Sequence, residues 1–115
     1  MKEYLLVFRN IGGDNQYVST PEDMMEDMPR WQAWIGHIAA QGKLISTQPI
    51  DYQGSVVSNA GVSRGPYMEG THLVVGYLLC RAESDEEVMG WSRTCPVLRY
   101  PQASVEIRPV MPFAA

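Results

Sequence analysis

The sequence predicts an α+β fold: a ferredoxin-like sandwich of βαββαβ order with an inserted hairpin, an antiparallel sheet carrying two helices on one face. Three observations predict it. Two segments, Tyr4–Arg9 and His72–Arg81, read as strands with apolar residues on both faces. Two helix starts carry capping signals, Thr20-Pro21-Glu22-Asp23 and Ser84-Asp85-Glu86-Glu87. The order strand, helix, strand with hairpin, strand, helix, strand is that of two crossover units sharing one sheet.

The first strand, Tyr4–Arg9, sends Leu5 and Val7 to one side and Tyr4, Leu6 and Phe8 to the other. A polar loop follows over residues 10–19, with Gly12-Gly13-Asp14-Asn15 as turn material. The first helix opens on Thr20 with proline at its first position and acids in its first turn. It should run to about Gln41 and stop at Gly42, with Trp31, Ile35 and Ile38 at helical spacing and Trp34 beside them. Pro29 cannot donate to the carbonyl of Met25, which predicts a kink or two abutting helical pieces.

Lys43–Thr47 reads as a strand ended by Pro49. Ser55–Ser58 and Val62–Arg64 flank Asn59-Ala60-Gly61 and read as a small hairpin. After the connector Gly65–Gly70, the strand His72–Arg81 places Leu73, Val75, Tyr77 and Leu79 on one face and Val74, Gly76, Leu78 and Cys80 on the other. The second helix, opened by the Ser84/Glu87 capping box, shows Val88, Trp91 and Cys95 on one stripe, with Pro96 ending it. In the last strand, Ser104–Val110, Val105 and Ile107 alternate with Ser104, Glu106 and Arg108, so one face is polar.

The 115 residues fit one domain, 1–115. Thirteen acidic against nine basic residues give a net charge of −4, and no basic cluster stands out, which argues against binding nucleic acid through its phosphates. No apolar run approaches the ~18 residues of a membrane span. The apolar run at Tyr4–Phe8 is shorter than the ~7–15 residues of a signal-peptide core. The expectation is a cytoplasmic protein whose Cys80 and Cys95 are reduced thiols in the core, although a disulfide between them is geometrically possible.

Two central strands apolar on both faces set a constraint. Helices cover one face only, and the other would form a larger bare patch than monomers usually carry. A second copy packed face to face in a two-fold dimer would cover it. The alternative is that the C-terminal tail and the hairpin fold over it.

Few constellations carry chemistry. Gly65–Thr71 has the glycine spacing of a phosphate loop but lacks its lysine and precedes a strand. His37 and His72 are the only histidines, with no partner at metal-ligand spacing, so neither a metal nor a cofactor is expected. His72 opens a central strand after a connector holding Arg64, Tyr67 and Glu69. It reads either as a general base beside a carboxylate or as a strand-end residue hydrogen-bonded for structural reasons. Trp31 and Trp34 read either as core or as the lining of an apolar cavity. Arg64 reads as a solvated turn residue or an anion contact.

Val62-Ser63-Arg64-Gly65-Pro66-Tyr67-Met68-Glu69, Gly76-Tyr77-Leu78-Leu79, the acidic helix start, Cys95-Pro96 and Ser104–Val110 follow one another in an order that resembles the YciI-related, or DGPF-domain, proteins. Trp31, Trp34 and Gly42-Lys43-Leu44 are similar to one branch of that family. The resemblance implies a ferredoxin-like fold that pairs into a dimeric α+β barrel. It also implies kinship with small-molecule enzymes, lactone dehalogenases among them, and with domains found alongside extracytoplasmic-function sigma factors. Departures matter here. The signature's aspartate is Arg64 and its phenylalanine is Tyr67. The family's histidine on the first helix would fall near Trp31 or Gln32, and its aspartate before the proline after the second helix is Cys95. The family's proposed His–Asp pair is therefore absent.

Together these features describe a homodimer binding a small organic molecule in a sheet–helix or dimer-seam pocket, with Trp31, Trp34, Arg64, Tyr67 and Glu69 as candidate ligand contacts. Chemistry there would be proton transfer of isomerase or lyase type, with His72 as base and Arg64 holding an anionic group. The alternative is a non-catalytic interaction module regulating a partner such as a sigma factor, through exposed strand edges or the loop Asn10–Ser19.

Overall fold

The computed structural model describes residues 1–11 and 21–113, and for residues 21–24 the backbone alone. The expected cap at Thr20 and turn at Gly12-Gly13-Asp14-Asn15 lie outside the described residues. The chain forms β1 (Lys2–Ile11), α1 (Pro21–Ala40), β2 (Leu44–Pro49), β3 (Ser55–Ser58), β4 (Gly61–Arg64), β5 (His72–Ala82), α2 (Asp85–Arg93), a 3₁₀ turn at Pro96–Arg99 and β6 (Ser104–Pro109). One sheet has the order β2-β5-β1-β6, antiparallel throughout, and β3 and β4 form a separate hairpin. With the hairpin set aside, this is the ferredoxin-like βαββαβ sandwich, and the two doubly apolar strands occupy its centre.

The core lies between the sheet and the helices. Tyr4, Leu6 and Phe8 of β1 and Leu78, Cys80 and Ala82 of β5 are buried there against Trp34, Ile38, Val88 and Trp91. Val105 and Ile107 of β6 sit opposite Phe8 and Leu6 and pack on the same core. The expected alternation in β5 holds from Gly76 onward but reverses before it. A bulge pairs Phe8 with Gly76 and Arg9 with Val74, leaving Val75 as the extra residue. The extra residue flips the pleat, so Leu73 is buried on the helix side opposite Asn10 and Val74 moves to the other face. Gly76 is needed at the bulge: an added Cβ would meet Phe8 at 3.2 Å and the carbonyl of Gln48 at 3.3 Å.

Helix α1 runs through Pro29 as one helix rather than two pieces. This half of the helix faces solvent, with Met25 77% exposed, so water can take up the carbonyl that Pro29 leaves without a donor. The helix stops where expected: Gly42 adopts φ +71°, and its N–H bonds the carbonyl of Ala39. Helix α2 opens on Ser84, whose hydroxyl accepts the N–H of Glu87 at 3.2 Å. Glu87 reaches back to the N–H of Glu83 at 2.9 Å, one residue before the cap. The second helix ends at Arg93, earlier than its stripe suggested, so Cys95 lies beyond it as the residue before the 3₁₀ turn, and is buried.

Three polar ties lock the helices to the sheet. The Tyr4 hydroxyl donates to Asp85 at 2.5 Å, and this bond pushes the phenol up to about 12. The Trp34 indole N–H donates to the carbonyl of Trp91 at 2.9 Å, tying α1 to α2. Lys43, at the start of β2, pairs with Glu87 at 2.7 Å and lies 5.9 Å from the Trp91 ring. The Lys43 ammonium, with the N–H of Glu83, holds the Glu87 carboxyl below its ordinary 4.5. A carboxyl lowered in the folded state stabilises above its unfolded pKa and loses that contribution as pH falls through the folded value. Glu87→Gln should therefore lower the urea midpoint at neutral pH, and the gap from the parent protein should close as the solution is acidified below about pH 4.

Candidate functional site

Among the described residues, one face of the sheet is covered. Alternation puts Leu5, Val7 and Arg9 of β1, Val74, Tyr77 and Leu79 of β5, and Glu106 and Arg108 of β6 on the side away from the helices. The smallest dimension of the molecule is 19 Å, the thickness of one sheet plus one helical layer at about 10 Å each. The middle of the open face is apolar and its surround is polar. Arg9 pairs with Glu106 at 2.6 Å, which holds that carboxyl below its ordinary value. Arg108 reaches the same carboxylate at 3.4 Å. On the other flank the hydroxyls of Tyr77 and Ser46 meet at 2.8 Å.

His72 stands at one end of this sheet, paired with Ile11 across β1. Its backbone exchanges both hydrogen bonds with Glu69, at 2.9 and 3.0 Å, around Gly70 at φ +63°. The sequence placed Glu69 beside His72, and the structure does so through the backbone. Nε2 of the ring lies 3.0 Å from the carbonyl of Gln102, in the turn before β6. The bond to a carbonyl makes Nε2 the protonated nitrogen of the neutral ring and leaves Nδ1 as the basic one.

The other candidates fall in two places. Trp31 and Trp34 stack with Phe8 in one aromatic cluster, ring centroids 5.3 to 6.0 Å apart. Trp34 is buried with its indole N–H already bonded, whereas Trp31 is half-buried at the margin. Arg64 ends β4 and is exposed, Tyr67 is 71% exposed in the connector, and the Glu69 side chain is exposed. Among the described residues, no side-chain hydrogen bond or ion pair joins Arg64, Tyr67 or Glu69 to His72 or to either tryptophan. A shallow open groove of about 330 Å³ lies between α2, the 3₁₀ turn and β6. Its walls include Met89, Leu98, Ala103, Val105 and Ile107, with Arg93 as the one ionisable side chain.

Sequence reasoning missed a polar cluster on the helix side. Asp27 of α1 accepts from Arg99 and, at 2.6 Å, from the Tyr100 hydroxyl, while Glu26 meets both Arg99 and Arg30 at 3.3 Å. Periodicity cannot reveal it, because it joins residues more than seventy positions apart. No group of three or more metal-ligating side chains is assembled among the described residues, and none of the described helices is long and apolar enough to cross a membrane.

No protein-family model matches the chain, and no curated protein sequence matches it. Solved structures do match. One is 5-chloro-2-hydroxyhydroquinone dehydrochlorinase (TftG) from Burkholderia phenoliruptrix AC1100, solved as a complex with 2,5-dihydroxybenzoquinone. The two chains share a fold. They superpose with a TM-score of 0.54 over 91% of this chain and 90% of the dehydrochlorinase, at 13% sequence identity. The likeness carries the βαββαβ architecture, and no site residue transfers at that identity.

Both cysteines are free and buried. Burial pushes the Cys80 thiol up to about 11 and the Cys95 thiol up to about 12. The thiolate is the nucleophile, so neither should react with a disulfide reagent at pH 8 in the native protein. Both should react at once in denaturant, and rapid native labelling of either would show that its pocket opens.

Proposed function

We propose that the chain is a small-molecule-handling protein that works as a two-fold dimer, with its open sheet faces turned toward each other and the ligand held at the seam between them. The observation that carries this reading is the open face itself. Leu5, Val7, Val74, Tyr77 and Leu79 form a contiguous apolar patch with a charged and hydroxyl-bearing surround, the pattern of an interface core with a polar rim. The fold shared with a dehydrochlorinase supports a small organic ligand, and a Trp34 that is buried with its indole N–H already bonded favours the seam over the sheet–helix layer. His72, at the end of the sheet and with its ring oriented by the Gln102 carbonyl, is the group we place as proton acceptor. Arg64 and Tyr67 would reach the ligand only from the connector. Trp34, bonded and buried, supports the fold from behind, and Trp31 packs beside it in the same aromatic cluster.

The second reading, an interaction module, would use exposed strand edges. Both edge strands of the main sheet end in proline, Pro49 and Pro109, which offer no N–H to an incoming strand. That observation weighs against strand addition and in favour of face packing.

A thermal-shift screen of dihydroxyquinones and related phenols, 2,5-dihydroxybenzoquinone included, tests the reading. A ligand that binds the native state raises the melting point, by about 2.7 kcal/mol of stabilisation at a hundredfold excess over Kd. For a ligand found this way, His72→Ala should keep binding within a few fold and reduce turnover about 10²- to 10⁴-fold, the usual range for a lost general base. Full turnover in His72→Ala removes the assignment.

A further inference from the structure

The hairpin β3–β4 stands apart from the main sheet. It is closed at its base by the Gly65 N–H on the carbonyl of Gly54 at 2.7 Å, and turns at Gly61 with φ +126°. At its tip Val57 and Val62 lie directly opposite each other and are 76% and 69% exposed. A lone two-stranded hairpin is marginal in water, and this one spends an apolar pair on solvent. Hairpin edges left free are normally guarded by charge or proline. Residues 55–63, SVVSNAGVS, hold neither, and Arg64 at the base of β4 is the hairpin's single charge.

The dimer seam needs what the hairpin has. Its four strands of 10, 6, 11 and 6 residues put about half their side chains on the open face, roughly 16. A stable interface takes about 20–30 residues from each partner. The hairpin leaves the sheet between the neighbouring strands β2 and β5, and its Val57–Val62 pair supplies an exposed apolar contact, with Arg64 on the same face at the base, to make up the shortfall.

We propose that the β3–β4 hairpin is a dimerisation arm. The Val57–Val62 face of each protomer closes over the rim of its partner's sheet. This rests on the face-to-face dimer proposed above. Two variants separate the ideas: Leu79→Arg, which charges the open face, and the double variant Val57→Thr/Val62→Thr, which keeps β-branched side chains in the strands while making the arm polar.

Hydrogen exchange of the peptide covering residues 55–64 is read by mass spectrometry, beside dimer affinity from sedimentation equilibrium. The arm predicts that these amides are protected in concentrated parent protein and exchange freely both on dilution and in Leu79→Arg. It also predicts that the double threonine variant dimerises about tenfold or more weakly. Unchanged affinity in the double variant, with equally fast hairpin exchange in dimer and monomer, overturns the arm and leaves the dimer standing. A parent protein that is monomeric when concentrated overturns both.

Discussion

Pairing of β1 with β5 is the constraint on which the molecule is built. These two strands run antiparallel over the length of the sheet's centre, and each is apolar front and back. One side finds its cover within the chain, because α1 and α2 lay Trp34, Ile38, Val88 and Trp91 over it. Among the described residues, no helix covers the other side. Burial of apolar surface is the main favourable term in folding. A strand pair that must sit at the centre, with greasy side chains on both faces, therefore fixes the intrachain core, and its other face is the one the proposed dimer would cover. The polar ties from Tyr4, Trp34 and Lys43 orient the helices on a core whose stability comes from that burial.

Much of this architecture was legible because it rests on local signals. Capping at Ser84, the stop at Gly42, the turn at Gly61 and the period-two alternation of β1 and β6 each depend on a few neighbouring residues, and each is where the residues put it. What escaped depends on register or on distant contacts. The bulge at Val75 exchanges the faces of Leu73 and Val74, and no residue in β5 announces it except Gly76, whose small size is explained by Phe8 and the Gln48 carbonyl. The Asp27–Arg99–Tyr100 cluster is invisible to any window of sequence. Pro29 does not split α1 into two pieces, because exposure to water makes the lost hydrogen bond cheap.

The candidate site was legible only in outline. His72 falls at a strand end beside Glu69, as its sequence neighbours suggest, yet the group that orients its ring is the Gln102 carbonyl, thirty residues away. Trp31 and Trp34, equivalent by spacing, have different surroundings, since only Trp34 is sealed and bonded. Arg64 and Tyr67 are close to His72 in sequence and exposed in the folded chain. The shared fold with a dehydrochlorinase carries the scaffold alone, at 13% identity.

Sedimentation velocity across a range of protein concentrations tests the central claim most directly. The account requires a species of twice the 12.9 kDa chain mass at micromolar concentration, dissociating when Leu79 is replaced by arginine. A particle of 12.9 kDa that stays soluble and folded at every concentration, with the Leu5–Val7–Tyr77–Leu79 face in water, would contradict it.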